Sequence, residues 1–415
     1  MLDRKPYHGF SRKLVLAFDV GTTFSGVSYC ILDPGYVPKT QGVSKYPGQV
    51  VGDAKIPSIL YYDKNRKVCA IGSEADQEQV EEKAEDEGWT KAEWWKMHLR
   101  PKHLSSAHIK ENDILPLPNG VNAVQILADF MAYLFRCAKA YIREHEADGA
   151  SILTSVADRI DFVLSHPNGW EGPQQAQIRR AAVLAGLIPD SAEGHKRITF
   201  VTEGEASLHY CISSMLASDA LSKVVIEKSD ANDEEDAEDD NKKGVIIVDA
   251  GGGTIDLSAY SMHPGTQSGK ALSFEEIAPA EYKLKGSRFE ANTYIKQMTH
   301  VFDKTTKHVF RDASEPCYLK FARPRIKDLE HGIRGGQLML DGNDLAPLFD
   351  PAVESIVEAI EQQKLASSKH IAFIFLVGGF AANNYLFKQL QGFLAPTGVC
   401  LSRPDPHLYM YFLAN

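Results

Sequence analysis

Two stretches of this chain follow one pattern. Residues 14–18 form an unbroken apolar run that ends in Asp19, turns through Val20-Gly21-Thr22-Thr23 and returns as the strand-like residues 24–29. About 230 residues later, residues 244–248 run into Asp249, turn through Ala250-Gly251-Gly252-Gly253-Thr254 and return as residues 255–260. An apolar strand, a carboxylate at its end, a tight Gly/Thr corner and a returning strand predict a hairpin. Two copies in one chain predict a duplicated pair of α/β lobes. Residues 371–377, ending in Gly378-Gly379 before a helix, supply a third strand signal that closes the second lobe. With 415 residues, the chain has room for both lobes.

Between the two hairpins the pattern alternates helix and strand. Leu127, Phe130, Met131, Leu134, Ala138, Tyr141 and Ile142 fall on one stripe of a helix over residues 121–145. Residues 161–164 read as a buried strand. It passes through Ser165-His166-Pro167-Asn168-Gly169 into a helix with Pro173 near its first turn and Gly186 at its end. Residues 197–201 predict another strand, followed by a helix over residues 203–216. Residues 227–243 carry nine acids and three lysines, which is −6 of the chain's formal charge of −10. They show no periodicity and no apolar anchor, and read as a solvated surface loop rather than a calcium loop, whose turn glycine is missing.

The corner residues have a specific use. Backbone N–H groups at a glycine corner approach phosphate oxygens closely because no Cβ intervenes. A carboxylate beside them repels phosphate unless a divalent cation or its water shell lies between, so Asp19 and Asp249 suit a magnesium-nucleotide site. The plainer alternative is that each aspartate only caps a turn. Other signatures fail. Gly265-Thr266-Gln267-Ser268-Gly269-Lys270 is one residue short of a P-loop, and Ala271 stands where its hydroxyl belongs. There is no GxGxxG after the first strand, no HExxH and no GxSxG. No basic face invites nucleic acid.

The wording of these motifs resembles a known family. LAFDVGTTFSGVSY resembles the first phosphate motif of the heat-shock-70 and actin superfamily, VIIVDAGGGTIDLSAY the second, and FIFLVGGFAANNYL the adenosine motif. DFVLSHPNGWEGPQQAQIRRAAVLAGL and ITFVTEGEASLHY resemble the strand–helix connections of heat-shock-70 ATPases, in the same order. WWKMHLRP and HPNGW look most like the divergent twelve-type branch of that family and its fungal relatives. The resemblance implies a duplicated actin-like ATPase (ribonuclease H-like) fold of the α/β class, two lobes around a nucleotide cleft. Its boundaries would be 1–202 and 203–415, with no peptide-binding domain.

Roles follow from the resemblance. Asp19 and Asp249 would hold the water shell of magnesium. Glu203 would bind that shell or polarise the attacking water, and Lys96 would be the catalytic lysine, the alternative for Lys96 being an exposed helix lysine. Gly21, Thr22, Thr23, Gly251, Gly252, Gly253 and Thr254 would hold the phosphates of ATP or ADP. Gly378 and Gly379 would lie against the adenosine, and Asp256 matches an aspartate of a monovalent-cation site. The chain also departs from the pattern. Phe380 and Ala382 replace a small polar residue and an arginine, so adenine would either stack on Phe380 or be held weakly, with Lys327 on a helix over residues 318–332 as a candidate clamp. Gln175 stands where the family has a coupling arginine.

Three functions remain in view: a slow ATPase acting as a conformational switch, a non-catalytic ATP-binding scaffold, and a sugar or metabolite kinase, which lacks its catalytic aspartate here. Six scattered cysteines without a CxxC pair predict a reducing, cytoplasmic compartment. The longest apolar run, residues 371–382, is too short to span a bilayer, so the expected partners are a nucleotide and an unidentified protein, with no membrane. The aromatic tail, residues 409–415, would leave an apolar groove on the first lobe poorly filled.

Overall fold

The computed structural model describes residues 5–49, 52–101, 115–217, 243–251, 254–263, 273–284, 301–320, 333–367 and 369–404. The chain is mixed α/β and divides into two compact units on either side of residue 227. Most of the acidic stretch, the P-loop look-alike, Gly252, Gly253, Lys327 and residues 409–415 lie outside the described residues.

The first unit is built on a six-stranded sheet. Strands β1 (Lys13–Val20) and β2 (Phe24–Leu32) form the expected hairpin, with Asp19 opposite Gly26. Strands β3 (Thr40–Gly42) and β4 (Ile56–Pro57) pair with β2. On the other side of β1 lie β5 (Ile160–His166) and then β6 (Ile198–Thr202), both parallel. The order is β3-β2-β1-β5-β6, with β4 beside β2. Helix α1 (Ala123–His145) packs on α2 (Gly172–Leu184). Asn122 caps α1, its side chain accepting from the Gln125 amide at 2.9 Å. The stripe read from the sequence is the buried face: Leu127, Phe130, Met131, Leu134, Ala138 and Ile142 join Leu14, Leu16, Phe18 and Phe162 in one core. Helix α3 (Glu203–Ala217) contacts β5 and β6. Glu203 therefore belongs with the first unit, whereas the sequence reading places the boundary just before it.

The second unit repeats the plan. Strands β7 (Lys243–Ala250) and β8 (Thr254–His263) form a hairpin, extended by antiparallel β9 (Ser273–Leu284). Strands β10 (Ile371–Val377) and β11 (Cys400–Ser402) add on the opposite side in parallel. The order β9-β8-β7-β10-β11 matches the first sheet in strand direction as well as sequence. Ile246, Val248, Leu257, Ile374 and Leu376 pack against α4 (Gly342–Ala366) and α5 (Asn384–Leu394). One expectation fails here: Cys317–Lys320 is a strand, paired antiparallel with Gln337–Leu340, so no helix begins at Tyr318.

No helix among the described residues is long and apolar enough to cross a membrane.

Candidate functional site

The corner after β1 is closed by a hydrogen bond from the Gly21 amide to the Phe24 carbonyl at 3.2 Å. A Cβ on Gly21 would lie 2.3 Å from that same oxygen, so only glycine permits this approach. Thr22 and Thr23 are half-buried at the tip. Ser58, directly after β4, fastens the corner: its amide donates to the Thr23 carbonyl at 2.8 Å and its hydroxyl to the Gly21 carbonyl at 2.9 Å. The Trp95 indole N–H in turn donates to the Ser58 carbonyl at 2.9 Å. Trp95 opens the short 3-10 segment Trp95–Leu99, which carries Lys96.

Asp19 is 5% exposed. Its Oδ2 lies 2.9 Å from the Lys55 ammonium, and its Oδ1 accepts from the Ser165 hydroxyl at 3.2 Å. Burial by itself would raise the Asp19 carboxyl. Lys55, Lys96 and Ser165 outweigh that effect and hold it below the usual carboxylate range.

Lys96 is no exposed helix lysine. It is 7% exposed, and its ammonium meets Glu203 Oε1 at 2.9 Å and lies 5.6 Å from the Trp170 ring centroid. Phe18, Leu127, Met131 and Leu164 line the apolar space beside it. Glu203 opens α3, where the helix dipole favours an anion. Thus Asp19, Lys96 and Glu203, scattered in sequence, gather next to the Gly21 corner. Lys55, Ser165 and Trp170 join them without having been read from the sequence. Lys55 sits in a connection with no periodicity, and its pairing with Asp19 spans 36 residues, so no local signal announces it.

The second corner holds Asp249 at the end of β7, with Asp256 directly across the ladder and 2% exposed. Gly378 follows β10 at φ +95°; a Cβ there would fall 2.3 Å from Asp249 Oδ1 and 2.5 Å from the Ala250 carbonyl. A side chain is excluded twice, by contact and by backbone conformation. Gly379, by contrast, has open space around it, and Gly251 and the backbone of Thr254 frame the turn.

Phe380 corrects an expectation. It is 5% exposed, stacked at 6.1 Å and 13° on Phe349 inside the second core, so its ring is spent on packing and is not presented to a base. The turn it belongs to is held from outside by Arg403, whose guanidinium donates to the carbonyls of Ala381, Ala382 and Asn383 and to Asn384 Oδ1. Gln175, at the start of α2, has its amide 3.2 Å from His166 Nε2.

Among the described residues no group of three His, Cys, Asp or Glu side chains is arranged to cage a metal. Asp19 and Asp249 place carboxylate oxygens at the two corners, the donor type that hard cations take.

Comparison with known proteins supports the pattern. The chain is 25% identical over 462 aligned residues to heat shock 70 kDa protein 12A of Mus musculus, covering 91% of this chain. It is similar to the heat shock 70 kDa proteins 12A and 12B over most of its length. The Homo sapiens 12A protein gives the same identity over 464 residues, and human 12B gives 23% over 470. The chain spans 65% of the length of the 12A proteins it matches. No protein-family model matches it.

Proposed function

We propose that the chain binds ATP and ADP with magnesium on a duplicated actin-like ATPase fold, and hydrolyses ATP slowly as a nucleotide-driven switch. The observation that carries this reading is the first corner: a glycine turn beside a buried aspartate, two lysines and a glutamate. Thr22 and Thr23 receive phosphate through backbone N–H groups and hydroxyls, on a turn that Gly21 keeps closed with its own amide and opens to close approach by lacking a Cβ. Lys96 balances charge on the phosphates, and Glu203 orients the attacking water. At the second corner Gly251, Gly252, Gly253 and Thr254 play the part of the first turn, Asp249 faces the metal's water shell, and Gly378 and Gly379 allow close backbone approach. Magnesium, when bound, supplies charge neutralisation between phosphate and carboxylate. Asp256 is the candidate for a monovalent cation. A cytoplasmic location fits this reading, since none of the six cysteines forms a disulfide.

A second reading is a non-catalytic ATP-binding scaffold. It is favoured by Asp19, whose two oxygens already have protein partners, and by the buried Phe380. Titration calorimetry with ATP and ADP tests binding; no heat with either nucleotide in excess magnesium rules out both readings. Phosphate release with and without a panel of sugars then separates ATPase, scaffold and kinase.

A further inference from the structure

In a nucleotide site a carboxylate near the phosphates needs a cation between them. At the first corner one is already present. Lys55 Nζ lies 2.9 Å from Asp19 Oδ2, the oxygen not taken by Ser165. The side chain of Asp19 is 8% exposed and that of Lys55 34%, so the lysine is the solvent-accessible partner of the pair. Its backbone is fixed: the Lys55 amide donates to Asp53 Oδ1 at 3.2 Å and its carbonyl accepts from Gln49 Nε2 at 3.2 Å. The next residues, Ile56 and Pro57, pair with β2, and Ser58 grips the corner itself. Lys55 and the phosphate-facing turn are therefore parts of one fastened segment. Lys96, the second cation near Asp19, is engaged with Glu203.

We propose that Lys55 is a resident counter-cation for Asp19, which stands in for part of the divalent metal's charge and makes nucleotide binding in this chain less dependent on magnesium than the carboxylate alone would require. The inference rests on the nucleotide reading above. Without Lys55, an approaching polyphosphate meets an uncompensated carboxylate and must bring its own cation. With Lys55, the ammonium screens that carboxylate and adds its positive charge to the corner that the polyphosphate approaches. Magnesium and Lys55 then compete for Asp19 Oδ2, so the two cations are partly redundant there.

The test compares ADP affinity in excess magnesium and in EDTA for the wild-type chain, Lys55→Met and Lys55→Arg. The ratio of the two dissociation constants should be at least about tenfold larger for Lys55→Met than for wild type. Lys55→Arg, which keeps the charge, should restore a ratio near that of wild type. An equal ratio in Lys55→Met overturns the proposal. A nucleotide-free arm measures a thermal double-mutant cycle with Lys55→Met and Asp19→Asn. Coupling between the two supports the ion pair, and additivity overturns the proposal whatever the nucleotide data show. If the cycle is coupled but wild type binds no nucleotide under either condition, the nucleotide reading falls and takes this inference with it, a failure distinct from the other two.

Discussion

Lys96 and Glu203 are the most exposed to mutation of all the residues at the first corner, because each leaves the other buried with its charge. Their side chains are only 9% and 14% exposed. Lys96→Met is expected to lower unfolding free energy in urea by about 3 kcal/mol, the scale for breaking one side of a buried pair. Adding Glu203→Gln should cost much less than its single-variant effect, and strict additivity would mean that the pair does not form in solution. Asp19 adds a pH signature. Burial works to raise its carboxyl, but Lys55, Lys96 and Ser165 hold it below the ordinary range. A carboxylate depressed on folding contributes stability above its unfolded value, near pH 4, and that stability is lost as pH falls through the folded value. Asp19→Asn should therefore flatten the fall in Tm below about pH 4, and an unchanged acid limb would contradict the ion pair. The thiols also differ. Burial pushes Cys137 up to about 11, while Cys400 is exposed on an edge strand. A thiol reagent at neutral pH should modify Cys400 well before Cys137 in the native protein.

At the scale of elements, the Gly378 turn is the sharpest case. Gly378→Ala places a methyl against Asp249 Oδ1 and the Ala250 carbonyl at φ +95°, and is expected to cost roughly 2–4 kcal/mol. Gly379→Ala, with nothing within 4 Å of the added carbon, should cost far less. Urea midpoints for the two variants check this; similar losses would mean that the close approach is not maintained in solution. Both hairpins and α1 could be read directly from the chain because their signals are local: apolar runs broken by Gly/Thr, and a stripe that repeats with the helical turn. What escaped was set by partners far away. Residues 317–320 become a strand only because residues 337–340 pair with them, a dependence that propensity does not reveal. Phe380 turns inward because Phe349 offers a ring to stack on, and nothing in Gly-Gly-Phe says which way it faces. Lys96 sits in a segment where an exposed helix lysine is the alternative reading, and its burial goes with its pairing to Glu203, 107 residues later.

For the molecule as a whole, two sheets share strand order and direction although their corners are spelled differently, with Thr-Thr in one and Gly-Gly-Gly-Thr in the other. The central strands β1 and β7 are flanked on both sides, whereas β3 and β11 lie at sheet edges. Amide exchange should reach Thr40–Gly42 and Cys400–Ser402 before the interiors of β1 and β7; the reverse order would contradict the topology. One last feature of the first corner has an optical consequence. The chain has four tryptophans, and two of them bracket Lys96. Trp170 has the ammonium 5.6 Å from its ring centroid, and Trp95 is tied to the corner through Ser58. A charge at that range perturbs an indole's excited state, so drawing Lys96 toward an incoming anion changes the emission without any label. The protein carries its own fluorimeter, with Trp170 as the dial: Trp170→Phe should abolish most of a ligand-induced change that Trp89→Phe leaves in place.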